Sequence, residues 1–312
     1  MSTRAADASG ASGEPASVAR SDPARVWAVV LTHGGAEDIT AACIESLLAQ
    51  DYPALTVLLV DNASYDGSGA RLRHRYAEIV YLNTGANLGY TGGNNRGMAL
   101  ALERGADFLL VVNNDTTLEP RCVSLLVESA TQADGPAVIA PKILYYDDPA
   151  RIWYAGGDFV PYKAIGTHRR ELDIDDPSEP PRLDHMTFAT GCCFLMPASV
   201  AREVGGFRED FFIYCEDVEL SLRIARRGYK LYYQSAARMY HREPPKRAEP
   251  TAFQLRMRDR NRRRLARQHL SAIERLRFAA WFYATRVIRL AQFAMRGDWE
   301  RARAIVAGAV ER

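Results

Sequence analysis

Four short runs, 26–31, 55–60, 79–82 and 108–112, are apolar save for Thr56, and most of them end against a polar or glycine-rich cluster. Between them lie stretches of helical spacing: 39–50, with Ile39, Cys43 and Leu47 on one face, then 69–77 and 95–104. A strand with no polar face has to be covered on both sides. The alternation therefore predicts an α/β architecture in which a mostly parallel sheet is flanked by helices. Such sheets bind ligands beyond the carboxyl ends of their strands, where this chain places its polar clusters. A G-x-G-x-x-G fingerprint after the first run is missing, and so is a Walker loop.

Further strands are expected at 138–144 and 189–196, with a helix at 197–204. The segment 153–183 is polar, carries Gly156-Gly157, Pro180-Pro181 and an acidic run at 173–176, and reads as an irregular hairpin or mobile loop. A helix from Cys215 to Arg227 and strand-like stretches at 231–233 and 237–241 complete this unit. Three parts follow: a disordered lead-in over 1–24, a catalytic-sized α/β domain over 25–245 and a basic helical extension over 246–312. The whole chain has a formal net charge of +2, yet residues 251–312 hold fifteen Arg against five acidic residues. Five scattered cysteines, including the vicinal pair Cys192-Cys193, show no metal-ligand spacing, and a reducing cytoplasm suits them. No basic start and apolar core of a signal peptide precedes the domain, and no apolar window is long enough to span a membrane.

Five clusters carry the candidate chemistry. Asn113-Asn114-Asp115 closes the fourth strand and is either a turn or a metal and phosphate anchor. Asp61 and Asn62 close the second strand, where an Asp accepts from a nucleobase or ribose, or the cluster simply caps a helix. The run 83–95 (NTGANLGYTGGNN) has the glycine density of a loop that lets backbone N–H groups cradle a diphosphate. Glu216-Asp217-Val218-Glu219 enters a helix; its carboxylates answer the helix dipole, or one of them takes a proton from an attacking hydroxyl. His241 ends a strand, as a structural residue or a metal ligand.

In this order and spacing the motifs Val-Val-Leu-Thr, Val-Asp-Asn-Ala-Ser, Asn-Leu-Gly-Tyr-Thr-Gly-Gly-Asn-Asn, Asn-Asn-Asp, Gly-Gly-Phe, Phe-Phe-Ile-Tyr-Cys-Glu-Asp-Val-Glu and the final His resemble the family-2 inverting glycosyltransferases of GT-A (Rossmann-like) fold. The resemblance runs over residues 26–241 and is nearest to the rhamnosyltransferase-like branch that builds cell-surface polysaccharides; Arg260-Asn261 opens a tail similar to that of such proteins. It implies Thr32 beside the nucleotide, Asp61 with Asn62 at the base or ribose, and Asn87, Gly89 and Asn94 lining the nucleotide pocket. Asn113 and Asp115 would fill the outer positions of an Asp-x-Asp motif. Asp115 is then the principal ligand of Mg2+ or Mn2+ and His241 the second. Asp217 would be the catalytic base, with Gly191 in the acceptor-side wall close to Glu216. Two positions depart from the family: Asn113 stands where an Asp is usual, so metal binding there should be weaker, and Thr32-His33-Gly34 replaces Thr-Tyr-Asn.

The implied partners are a nucleotide-sugar donor, dTDP-rhamnose first and a UDP-linked hexose or galactofuranose second, and a glycan or polyprenyl-linked acceptor. The tail fits an amphipathic helix on an anionic membrane surface, packing on the catalytic domain through Trp281, Tyr283, Ile288 and Phe293, or a homodimer face. A sugar nucleotidyltransferase shares the sheet but would carry a basic glycine-rich loop after the first strand. A nucleic-acid-binding protein using the arginines would leave the α/β part without a role, so no nucleic-acid partner is expected.

Overall fold

The structure is a computed structural model that describes residues 22–244 and 248–311. Most of the lead-in expected over 1–24, and the residues 245–247 at the expected domain boundary, lie outside the described residues. Strand β1 (Val26–Thr32), helix α1 (Glu37–Leu48), β2 (Leu55–Asp61), α2 (Ser68–Arg75), β3 (Val80–Asn83), α3 (Gly89–Glu103) and β4 (Phe108–Asn113) come first. They form the parallel half of the sheet, with β1 between β2 and β4 and with β3 outside β2. In β1 and β4 almost every side chain is buried, as strands covered on both faces require.

The polypeptide continues through β5 (Thr116–Leu118), α4 (Cys122–Gln132), β6 (Ala137–Tyr145), β7 (Ile152–Tyr154), the hairpin β8 (Gly157–Val160) and β9 (Ile165–His168), β10 (Leu183–Met186) and β11 (Cys193–Pro197). Helices α5 (Ala198–Val204) and α6 (Glu216–Arg226) precede the long strand β12 (Lys230–His241). This second half of the sheet is mixed. β11 runs antiparallel to β4 and to β6, while β12 is parallel to β6 and carries β5 and β10 in antiparallel pairing. The stretches expected at 231–233 and 237–241 are thus one strand with a bulge between Gln234 and Arg238. At the bulge, buried Lys142 donates to Asp175 Oδ1 at 2.7 Å, and the half-buried Arg238 lies 2.8 Å from its Oδ2.

One helix boundary moves, and the reason is steric. α3 begins at Gly89 rather than 95, so Gly92 and Gly93, expected in a loop, join Gly97 in the helix. A Cβ on Gly93 would come within 2.4 Å of Leu31 Cδ1, and one on Gly97 within 2.5 Å of Val29 Cγ1. The glycine density lets α3 lie against β1. Downstream, capping boxes start α7 (Ala252–His269) at Thr251/Gln254 and α8 (Ala272–Met295) at Ser271/Glu274, and α9 (Trp299–Val310) closes the chain. α7 and α8 join the main core through Leu265, Leu270, Phe278 and Phe282. Of the four tail residues expected to pack, Phe293 is buried and Trp281 partly so, whereas Tyr283 and Ile288 face outward.

Candidate active site

At the carboxyl end of β1 and β4 lies a groove of about 580 Å3. Thr32, Asn62, Asn87, Gly89, Asn113 and Asp115 all line it, so six of the residues expected at the nucleotide and metal meet there. Its floor is a closed hydrogen-bond network. The Asn62 side-chain amide donates to Asn87 Oδ1 and to the Gly89 carbonyl, both at 3.1 Å, and its Oδ1 accepts from Leu88 N–H. His33, which the sequence marked only as a departure, is held on both sides. Its Nδ1 donates to the Asn62 carbonyl at 2.7 Å, which fixes the tautomer, and Nε2 accepts from Asn87 Nδ2 at 3.0 Å. Gly89 has φ +70°, and a Cβ there would strike Phe212, 2.4 Å from Cδ2. Only glycine fits that crossing of chains.

Six expected residues stand outside the groove lining: Asp61, Asn94, Gly191, Glu216, Asp217 and His241. Asp61 spends its carboxylate on Ser64 N–H, Tyr81 Oη and Asn83 Nδ2, at 2.7, 2.6 and 3.1 Å. Asn94 is buried in α3 and donates to the Tyr90 carbonyl. Glu216 is buried with Oε2 unpartnered.

Asp115 and His241 converge because β5, which follows Asp115, pairs with the end of β12 and sets His241 opposite Thr116. His241 Nε2 lies 3.3 Å from Asp115 Oδ1, and Glu243 is 3.8 Å from Nδ1. Asp115 Oδ1 and His241 Nδ1 are both buried without a hydrogen-bond partner. The orphaned Asp115 Oδ1 and the His241 Nε2 that faces it are an oxygen and a nitrogen that would suit a divalent cation. Among the described residues no group of three or more His, Cys, Asp and Glu is arranged to enclose a metal. Arg242, which the sequence gave no reason to single out, lines the same groove and donates its backbone N–H to the Asp115 carbonyl.

Asp217 lies beyond the groove. Tyr90, a groove residue, donates its hydroxyl to the Gly191 carbonyl at 2.6 Å, and Gly191 N–H donates to Asp217 Oδ2 at 3.0 Å. Val218 N–H holds the other oxygen at 2.8 Å. Burial pushes the Asp217 carboxyl up, and the two N–H bonds oppose the shift. Glu216 is pushed up well above the carboxylate range by burial and by the charge of Asp217. The two donors on Asp217 favour its charged form, while burial and the neighbouring charge disfavour that of Glu216, whose Oε2 has no donor.

The segment from Phe212 to Cys215 separates the groove from a second cavity of about 390 Å3 that Asp217 lines. Phe212, Tyr214 and Cys215 all have positive φ, a strained path for residues with side chains. It is held by Asn261 of α7, fully buried, whose side-chain amide lies 2.8 Å from the carbonyls of Phe211, Ile213 and Tyr214. Cys192 and Cys193, beside Gly191, are buried with thiols pushed up by burial, which makes them packing groups.

A family model described as "Glycosyl transferase family 2" matches residues 27–205. Among curated proteins, the chain is 31% identical over 215 residues to N-acetylglucosaminyl-diphospho-decaprenol L-rhamnosyltransferase of Mycobacterium tuberculosis, covering 62% of this chain and 68% of that protein. It is 26% identical to a rhamnosyltransferase of Escherichia coli, over 69% of this chain and 83% of that one. Among solved structures it superposes on a mannosyltransferase from Pyrobaculum calidifontis in complex with GDP-Man and Mn2+. The TM-score is 0.56 at 16% identity, covering 93% of this chain and 87% of the other. It also superposes on GalNAc-T7 with UDP, GalNAc and Mn2+, with a TM-score of 0.60 at 14% identity, over 78% and 48% of the two chains.

Proposed function

Since the chain belongs to glycosyl transferase family 2, we propose that it transfers a sugar, with inversion, from a nucleoside diphosphate donor in the groove to a hydroxyl of a glycan or lipid-linked acceptor in the second cavity. Glycosyl transfer is the activity of the family; the donor, the stereochemistry and the two subsites are our reading. The observation that carries it is the placement of Asp217: a half-buried carboxylate, aligned by two backbone N–H groups and two hydrogen bonds removed from a groove residue.

The acceptor oxygen forms its bond to the anomeric carbon as its proton passes to Asp217. The bond from that carbon to the diphosphate breaks, and the electron pair leaves on the diphosphate oxygen. Attack from the face opposite the leaving group inverts the centre. A divalent cation bound by Asp115 and His241 would supply positive charge where the diphosphate gathers negative charge. Arg242 adds a fixed charge on the same side of the groove. The sequence relation to rhamnosyltransferases makes dTDP-rhamnose the first candidate donor, and UDP-galactofuranose is the second, from galactofuranosyltransferases 26% identical.

The C-terminal helices extend the proposal to a peripheral membrane contact. Among the described residues no helix is long and apolar enough to cross a membrane. Ile273, Leu276, Tyr283, Val287 and Ile288 nevertheless line an exposed face of α8, with Arg275 and Arg277 beside it.

A thermal-shift screen of dTDP-, UDP- and GDP-sugars with and without Mn2+ tests the donor site. A stabilisation confined to one nucleotide class and enhanced by the metal is expected. No shift with any of them would sink the assignment of the groove.

A further inference from the structure

The second cavity contains more positive charge than folding requires. Arg258 and Arg262 of α7 and Arg286 and Arg289 of α8 all line it, against the carboxylates of Asp259 and Asp217. Two of the four are fixed. Arg286 Nε lies 2.6 Å from Asp259 Oδ2, and Arg262 donates to the Lys163 carbonyl at 2.9 Å with its guanidinium over the Trp281 and Phe282 rings. Asp259 is thus taken by Arg286, with Arg262 at 3.9 Å behind it. The other two have no carboxylate within ion-pair distance among the described residues; Arg258 rests over the Tyr214 ring, and Arg289 acts on Asp259 only at longer range.

Building such a site costs stability unless something repays it. Arg262 is pushed down to about 10 by burial and by the neighbouring charge of Arg286, so the guanidiniums crowd one another. Planar arginine forks match phosphate oxygens, and an arriving anion relieves the crowding.

We propose that this cavity binds the phosphate groups of a phosphorylated acceptor, through Arg258 and Arg289 with Arg286 behind them. The inference rests on the transfer reading above and goes beyond it by assigning the acceptor its chemical class. Asp217 lines the same cavity, so a sugar carried on that phosphate has its hydroxyls on the base's side, while the ring keeps the phosphate from the carboxylate. The volume, about 390 Å3, is in the range of small-ligand sites. A lipid joined to the phosphate would leave past α8, whose opposite face carries the exposed Leu276 and Val287.

The test compares an acceptor sugar joined to a short prenyl diphosphate with the same sugar as a neutral alkyl glycoside. Wild-type protein should prefer the diphosphate, and Arg258→Gln/Arg289→Gln should lower the ratio of the two kcat/KM values tenfold or more. An unchanged ratio overturns the proposal, whether both activities fall or neither does. A direct titration with a prenyl diphosphate in metal-free buffer, against the prenyl alcohol, should show the same tenfold loss in the variant. Tight binding of inorganic pyrophosphate that survives the variant, or an arginine-dependent binding to phosphatidylglycerol vesicles with the acceptor ratio unaltered, would also overturn it. If no nucleotide sugar binds at all, the transfer reading fails, and the titration still judges the cavity by itself.

Discussion

At the scale of single residues, adjacent carboxylates differ by what their oxygens touch. Asp217 accepts two backbone N–H bonds and Glu216 leaves an oxygen orphaned, so the proton stays on Glu216 and the charge on Asp217. Asp217→Asn should lower kcat by about 10²- to 10⁴-fold with nucleotide-sugar binding intact, the usual span for losing a general base. Near-normal turnover in that variant would remove Asp217 from the role. The pH profile carries a sign. A base has to be ionised to act, and burial raises the Asp217 pKa, so kcat should fall on the acid side along a limb displaced upward from that of an ordinary Asp. Glu216→Gln should leave that limb where it is, because Glu216 is already protonated there; a limb that shifts with this variant would mean the charge is shared.

Much of this was legible in the sequence. Asn113, Asp115, Asp217 and His241 stand at strand ends or a helix start, positions that periodicity locates. His33 and Arg242 were not legible, since their part in the groove arises from neighbours 29 to 127 positions away. Asp61 shows a different gap between sequence and structure. Its place at a strand end suggested a ligand contact, yet Tyr81 and Asn83 of the adjoining strand absorb its carboxylate.

At the scale of elements, the strained turn before α6 and the helix that holds it form a unit. Asn261 shares its two amide hydrogens among three carbonyls of that turn, and Thr91 N–H of α3 holds Phe212 from the other side. Asn261→Ala strips buried carbonyls of their donor, at a cost of about 1–3 kcal/mol. The denaturation midpoint should drop, and kcat should fall more than the donor KM rises; a variant that loses stability alone would show that the turn keeps its shape unaided. On the opposite side of the crossing, Gly89→Ala combines a forbidden φ with a clash on Phe212, so both stability and donor affinity should suffer, the strain alone costing about 1–3 kcal/mol. Calorimetry and donor titration on one preparation would check it. The misplaced start of α3 has the same origin. Glycine in sequence signals a loop, but here it signals a helix pressed on a sheet, and the pressing partners, Leu31 and Val29, lie more than sixty residues earlier.

At the scale of the whole molecule, the basic extension is sorted by direction. Its inward arginines line the second cavity or bind carbonyls, while α8 turns Leu276 and Val287 outward, 72% and 68% exposed. Leu276→Glu/Val287→Glu should abolish co-sedimentation with anionic vesicles while leaving the fold intact; vesicle binding that persists would locate the membrane contact elsewhere. The sequence left membrane contact and packing as alternatives because its apolar residues occupy more than one helical face, and only the docking of α7 and α8 tells which face is taken.

The clamp also has a meaning in the order of synthesis. The groove's strand ends, 32 to 115, leave the ribosome first. His241 follows, then the clamp on the turn before α6 at 261 and the last cavity arginine at 289. A chain growing from its amino end therefore completes the groove's strand ends long before it can hold Asp217 and its turn in place. On the proposed reading, α7 and α8 are what would turn a donor cleft into a transferase.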